Sequence, residues 1–322
     1  MNGGRVAVSV IVCTRNRCSA LVQLLESLSR LAKSGELAWE LVVVDNGSTD
    51  ATSMLLDSFA DRIPMRRVFE PRKGLSRARN AGLRAARGAI LAFTDDDCLP
   101  SPDWLGAIAR EFAHDPALAG LGGRVELHDL RDFPITIRTS RTRETLTSAY
   151  QLPALMVGCN MAFARWAVDA VGEFDVTLGA GTPAGSAEDT DYLYRALLLG
   201  LRIEYVPEVL VAHNHGRRRI EEVGQLKRSY ARGRGALLTK YLLRADRAMA
   251  YCLYYDLRWN GLELVRALRA WSSPRAVVER GWHMLAGAAR WVDAAHLPAP
   301  ITRDDVPSIA PGALLSPPVE PS

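Results

Sequence analysis

The chain has little that would staple or anchor it. Its five cysteines, Cys13, Cys18, Cys98, Cys159 and Cys252, are an odd number, and no C-x-x-C spacing occurs. That pattern argues against a disulfide framework or a zinc knuckle and for reduced thiols in the cytoplasm. No uninterrupted apolar stretch reaches the roughly 20 residues that a bilayer span requires. Residues 6–13 are apolar but run into Arg15 and Arg17 with no cleavage-type flank, so no signal peptide is expected. A Walker-type glycine-rich lysine loop is missing, which disfavours a nucleotidyl or phosphoryl transferase. There are no internal repeats, and no recognisable nucleic-acid-binding motif accompanies the basic residues.

What is there reads as a globular α/β protein. The 322 residues are 48% hydrophobic and 24% charged, enough for one large domain or two smaller ones. Apolar runs at 6–13, 40–44, 67–69 and 89–94 alternate with helix-periodic stretches at 21–31, about 50–60 and 74–86. This alternation predicts an open, mostly parallel sheet flanked by helices, whose ligands bind outside the carboxyl ends of the strands. Thr14, Asp45 and Asp95 all fall at such ends. Further on, helices are expected from 102 to 114 and from 187 to 200, and strands over 118–125, 156–163, 202–206 and 209–215. Residues 128–152 read as a long loop.

The charge is uneven. Residues 217–290 hold 16 Lys+Arg against 6 Asp+Glu, a local +10 in a chain of net +4. In this stretch Leu226, Tyr230, Leu237, Leu238, Tyr241 and Leu242 interleave with Lys227, Arg228, Arg232, Arg234 and Lys240. Such a helix either lies on an anionic membrane surface or packs on the preceding domain with a solvated basic face. Residues 298–322 contain seven prolines and are expected to be disordered.

The most telling stretch is 89–98, where a buried strand ends in Asp95, Asp96 and Asp97. Burying three carboxylates is costly, so they belong at a solvent or cation interface. Strand alternation would put Asp95 and Asp97 on one side, a partial shell for a hard divalent cation, and Asp96 on the other.

Taken in order, six motifs resemble those of the family 2 glycosyltransferases. They are Thr14-Arg15-Asn16-Arg17, Val43 to Asp50 (V-V-D-N-G-S-T-D), Gly74 to Gly82 (G-L-S-R-A-R-N-A-G), Phe93 to Asp97, Gly172-Glu173-Phe174-Asp175 and Ala187-Glu188-Asp189-Thr190-Asp191, with His213 trailing. The resemblance covers roughly residues 9–215. It implies a GT-A fold, a nucleotide-sugar donor, a divalent metal (Mg²⁺ or Mn²⁺) and inversion at the anomeric carbon. Residues 1–216 would then form the catalytic domain, with a nucleotide-sugar half to about 98 and an acceptor half beyond. Residues 217–297 would be a basic helical extension and 298–322 a tail.

By the same resemblance Asp95, Asp97 and His213 are the metal candidates. Thr14, Arg15, Asp45, Asn46, Lys73, Arg79, Asp95 and Asp96 are the donor-binding candidates. Asp45 matches the nucleoside position. Asn46 replaces the second acid often found there, and its amide is able to pair with a pyrimidine edge, which favours UDP and admits dTDP. Asp189 is the expected base, with Glu188 beside it. The glycine-rich residues 179–186 look like a mobile loop that closes over the acceptor. The implied reaction transfers a sugar to a hydroxyl acceptor in cell-envelope polysaccharide, glycolipid or secondary-metabolite synthesis, in the cytoplasm or at the inner face of the membrane. The competing reading is a non-catalytic nucleotide-sugar-binding module.

Overall fold

The computed structural model describes residues 6–32, 37–269 and 274–294; the expected proline-rich tail lies outside the described residues. In chain order β1 (Val8–Thr14), α1 (Cys18–Ala32), β2 (Trp39–Asp45), α2 (Thr52–Ser58), β3 (Met65–Phe69), α3 (Leu75–Ala85) and β4 (Ile90–Thr94) form the first half. The second half follows with β5 (Cys98–Pro100), α4 (Trp104–His114), β6 (Gly120–Leu127), β7 (Glu144–Thr145), α5 (Leu152–Leu155), β8 (Asn160–Ala164), α6 (Arg165–Val171), α7 (Glu188–Leu198) and β9 (Ile203–His213). Three long helices then close the described chain: α8 (Ile220–Leu242), α9 (Arg247–Arg269) and α10 (Arg275–Ala294).

The strands make one sheet in the order β3-β2-β1-β4-β8-β6-β9-β5, with β7 on β9. From β3 to β4 it is parallel. β8 then enters antiparallel to both β4 and β6, and β9 returns parallel to β6. Both faces of β1 and β2 are covered, so these strands read as unbroken apolar runs. Val10, Val12, Leu41 and Val43 join α1 and α4 in one core cluster. Alternate residues Ile11, Val42 and Val44 join α3, α7 and α8 in the other. Aromatics fasten this second layer: the Phe174 ring stacks on Tyr192 with centroids 4.3 Å apart and meets Phe93 edge-on at 5.6 Å.

Three features differ from the sequence reading. The two strands expected at 202–206 and 209–215 are one strand, β9, whose pairing with β6 shifts register between Gly123 and Arg124. Pro207 falls in the skipped segment, where its missing N–H is tolerated. Helices α5 and α6 were not expected; the rest of 128–148 is irregular apart from β7. Finally, the second half of the α8 stripe is core: Leu237, Leu238 and Tyr241 are buried, and so is Lys240, while Tyr230 stays 45% exposed. That half of α8 packs on the preceding α/β layers.

Candidate active site

Direction in the sheet decides which residues meet. β1, β2 and β4 run parallel, with Thr14 in register with Asp45, so their carboxyl ends share one edge. Because β8 runs the other way, its start at Asn160, paired with Thr94, reaches the same edge. β9 also finishes there, with His213 opposite Cys98 of β5.

Residues 95–97 lie between β4 and β5 in a tight turn closed by the Cys98 N–H donating to the Asp95 carbonyl at 3.1 Å. The turn overrides the strand alternation expected for the three carboxylates. Asp96 and Asp97 are buried and share one cation: Arg17 Nε is 2.8 Å from Asp96 Oδ1 and its Nη2 2.5 Å from Asp97 Oδ2. The Thr14 hydroxyl donates to Asp96 at 2.7 Å. Burial pushes the Asp96 carboxyl up to about 7, against the Arg17 charge and the Thr14 hydrogen bond. Asp95 is the open member, with its side chain 39% exposed.

Asp97 also faces His213, whose Nε2 lies 3.3 Å from Oδ1. On its other side the His213 ring points Nδ1 at the Thr136 carbonyl, 3.2 Å away. Burial, the largest single influence, would lower the imidazole pKa; the Asp97 hydrogen bond and the surrounding negative charge together outweigh it and raise it to about 9. Burial works against Asp97 too, but the His213 and Arg17 charges hold its carboxyl well below the usual range. Ligand atoms of Asp97, Cys98 and His213 lie within 4.8 Å of one another. The donor set fits a divalent ion: carboxylate oxygen with an imidazole whose far nitrogen is fixed by a carbonyl, the support that metal-binding histidines commonly have.

The second acidic set opens α7. Ala187 holds a left-handed φ of 79° just before Glu188, a strain that non-glycine residues adopt where their surroundings impose it. Glu188 is buried and paired with Arg79, Nη1 to Oε1 at 2.9 Å. Burial first, then the neighbouring Asp189 charge, push its carboxyl up to about 7 against the pull of Arg79. Asp189 accepts the Thr190 N–H at 2.7 Å through Oδ1, while Oδ2 lies against the Gly158 backbone, where an added Cβ would come within 2.4 Å. Arg79 is the link between the two sets. Its buried guanidinium reaches Glu188, the Gly158 carbonyl at 3.3 Å and Asp95 at 3.8 Å. Arg79, a donor-binding candidate in the sequence, thus ties the carboxylates of the two sets together.

Asn46 departs from expectation. Its amide donates to the Glu70 and Arg72 carbonyls at 2.8 Å each and accepts from the Gly74 N–H at 2.9 Å. Both amide protons are committed, so Asn46 shapes the loop that presents exposed Lys73 and has no proton left for a base edge. Asp45 holds its turn by accepting the Ser48 N–H at 2.7 Å. Arg15 is half-buried and its Nε meets no protein acceptor among the described residues. The 179–186 loop is held in several places rather than loose. Ser76 donates to the Leu178 carbonyl at 2.7 Å, Ala180 accepts from the Leu75 N–H, and Ser229 and Ser186 cross-bond α8 to the loop.

Sequence reasoning missed three contributors. Arg17 enters the sequence reading only as the last residue of Thr14-Arg15-Asn16-Arg17; an arginine at one strand end opposite an acidic triplet at the next is the available signal. Thr136 and Tyr230 carried none. Thr136 sits at φ 56°, unusual for a β-branched residue, and its hydroxyl is 3.3 Å from the Tyr230 hydroxyl. Since Ser229 grips the 179–186 loop, its neighbour Tyr230 stands between that loop and the His213 side of the cleft.

A sheet with this strand order, an acidic turn after β4 and a carboxylate pair opening α7 has the GT-A fold. Residues 9–170 match the model of the family described as glycosyl transferase family 2, and residues 90–297 that of glycosyl transferase family group 2. The chain belongs to glycosyl transferase family 2. It is 30% identical over 224 residues to the pre-mycofactocin glycosyltransferase of Mycobacterium tuberculosis, covering 65% of this chain and 43% of that protein. With validoxylamine A glucosyltransferase of Streptomyces hygroscopicus subsp. jinggangensis it shares 36% identity over 140 residues, 39% of this chain and 33% of the relative. The chain thus spans less than half the length of these two curated relatives. Among solved structures, the mannosyltransferase PcManGT from Pyrobaculum calidifontis, in complex with GDP-Man and Mn²⁺, superposes with a TM-score of 0.60 at 21% identity, over 90% of this chain and 88% of its own. S. aureus TarS 1–349 in complex with UDP-GlcNAc gives 0.51 at 22% identity, over 63% of this chain and 56% of its own. At these identities the likeness is one of fold.

Proposed function

We propose that the protein is an inverting, metal-dependent glycosyltransferase that moves a sugar from a nucleoside diphosphate to a hydroxyl acceptor. The observation that supports this reading is the Arg79 tie, which joins Glu188, the neighbour of Asp189 at the start of α7, to Asp95 of the acidic turn. In the reaction the acceptor oxygen forms its bond to the anomeric carbon as the bond from that carbon to the diphosphate oxygen breaks. The acceptor's proton passes to Asp189, and the nucleoside diphosphate departs with the bonding electron pair. Asp95, Asp97 and His213 would hold a divalent cation, which when bound neutralises charge on the leaving diphosphate. Arg15 and Lys73 border the same edge and supply positive charge for the phosphates.

The donor nucleotide is taken as UDP, with dTDP admissible, on the family resemblance at Asp45, which contacts the nucleoside, and not on Asn46, whose amide is committed to the 70–74 loop. Glu188, held by Arg79, fixes the start of α7 and so the aim of Asp189. Tyr230 borders the acceptor entrance, where a glycan, a lipid-linked saccharide or a small hydroxylated molecule would enter during envelope or secondary-metabolite synthesis. Five free thiols are consistent with work in the cytoplasm.

Asp189→Asn tests the assignment. Thermal shift with UDP-sugars and Mn²⁺ is expected to show donor binding retained. Transfer, and the slow donor hydrolysis that stands in for it, is expected to fall by about 10²–10⁴-fold. Turnover equal to wild type would remove Asp189 as base, and full activity in EDTA would remove the cation site.

A further inference from the structure

The last two helices carry apolar side chains that nothing in the described structure covers. On α10, Val278, Trp282, Leu285 and Val292 are exposed and, with Ala289, recur at alternating four- and three-residue steps, one stripe along the helix. Trp282 and Leu285 are each 68% exposed. On α9, Tyr254, Leu257, Leu262, Val265 and Leu268 are exposed and share one side of that helix by the same periodicity. Its opposite side buries Ala248, Met249 and Cys252 against the catalytic domain. Among the described residues, no helix is long and apolar enough to cross a membrane.

The charges of this region are sorted in the same sense. Three of its acids pair with arginines of the protein, Asp256 with Arg234 of α8 at 2.8 Å, Glu263 with Arg280 at 2.7 Å and Glu279 with Arg228 at 3.1 Å, while Asp293 of α10 is exposed. Arg247, Arg258, Arg266 and Arg269 of α9 are exposed, and none of them pairs with an acid among the described residues. On the helical wheel Arg258 and Arg269 fall within the apolar side of α9 and Arg266 at its margin. A second copy of the chain would bring like charge against like charge here, which opposes self-association. Apolar side chains with tryptophan, ringed by arginine, match instead the boundary between anionic headgroups and acyl chains.

We propose that α9 and α10 form an interfacial face that lies on a bilayer containing anionic phospholipids. The apolar stripes enter the headgroup–acyl boundary, and the arginines meet lipid phosphates. This places the membrane contact on α9 and α10 rather than on the second half of α8, where Leu237, Leu238 and Tyr241 are buried, and it stands independently of the glycosyl-transfer reading.

Flotation of the full chain with vesicles tests it, using phosphatidylcholine alone or with about a quarter phosphatidylglycerol. Wild type is expected to float with the anionic vesicles, not with phosphatidylcholine alone, and to be released towards about 1 M salt. Trp282→Glu with Leu285→Glu, and separately Arg258→Glu with Arg266→Glu, are each expected to cut the vesicle-bound fraction at least about tenfold. All four positions are exposed, so unchanged thermal melting serves as the folding control. A folded wild type that stays with the soluble fraction overturns the proposal, as does flotation that both variants retain. A concentration-dependent dimer in light scattering, dissolved by the Trp282 and Leu285 substitutions, would assign the face to a second copy and overturn it equally.

Discussion

Gly158 makes no hydrogen bond through a side chain, yet its size sets the aim of Asp189. An alanine there would put a methyl 2.4 Å from Asp189 Oδ2 and 3.3 Å from Arg79 Nη2. The clash is with the ends of side chains, so the fold survives and the carboxylate moves. Gly158→Ala is expected to keep its melting temperature and its donor affinity while turnover drops about a hundredfold, the scale of a misplacement near 1 Å. Steady-state kinetics with a separate donor titration checks this; a loss confined to donor affinity would contradict it. Arg17 acts at the same scale. It holds Asp96 and Asp97 together, whereas Thr14, the other residue of that strand end, touches Asp96 alone.

Among the elements, α7 is gripped from both ends of its sequence neighbourhood. Asp191 is fully buried and accepts from Lys240 of α8, from Tyr241 at 2.8 Å and from Arg195 one turn on at 3.0 Å. Lys240 also reaches Asp175 at 2.7 Å. Removing one partner of a buried ion pair leaves an uncompensated charge, so Lys240→Ala is expected to destabilise by about 3–5 kcal/mol in chemical denaturation. Pairing Lys240→Met with Asp191→Asn restores much of that loss; equal destabilisation in the double variant would mean the pair is not the cause. The sequence made α7 visible, with its acidic start. It gave no sign of Lys240, because that contact joins residues 49 apart through a helix whose basic residues looked solvated. The same holds for β8, whose apolar run was read as a strand but whose reversed direction depends on where the intervening chain returns. The motifs at the strand ends were legible because local chemistry, a buried run stopping at charge, marks them. The committed amide of Asn46 was not, since both its acceptors belong to a loop more than 20 residues away.

For the molecule as a whole, the proton on His213 couples stability to pH. Its folded pKa of about 9 lies above the unfolded value near 6.5, so the folded state binds the proton more tightly. The resulting stability is fully present below pH 6.5 and is lost as pH rises through about 9. In EDTA the melting temperature is therefore expected to fall across that window, and His213→Gln to flatten that part of the slope; an unchanged slope in the variant would assign the titration elsewhere. With Mn²⁺ the sign of the contrast reverses, because a ligating imidazole must be neutral and metal-induced stabilisation grows as the proton leaves.

Arg79 has one more implication. On the proposed reading, a single permanently charged side chain is shared, through Asp95 and Glu188, between the groups beside the departing phosphate and those beside the incoming alcohol. The two half-sites are therefore geared together. A substitution that retunes donor choice will also turn the acceptor side, and changes on either side will carry effects that do not add. Exchanging the sugar this scaffold handles is a problem of two coupled settings, with one guanidinium as the shaft between them.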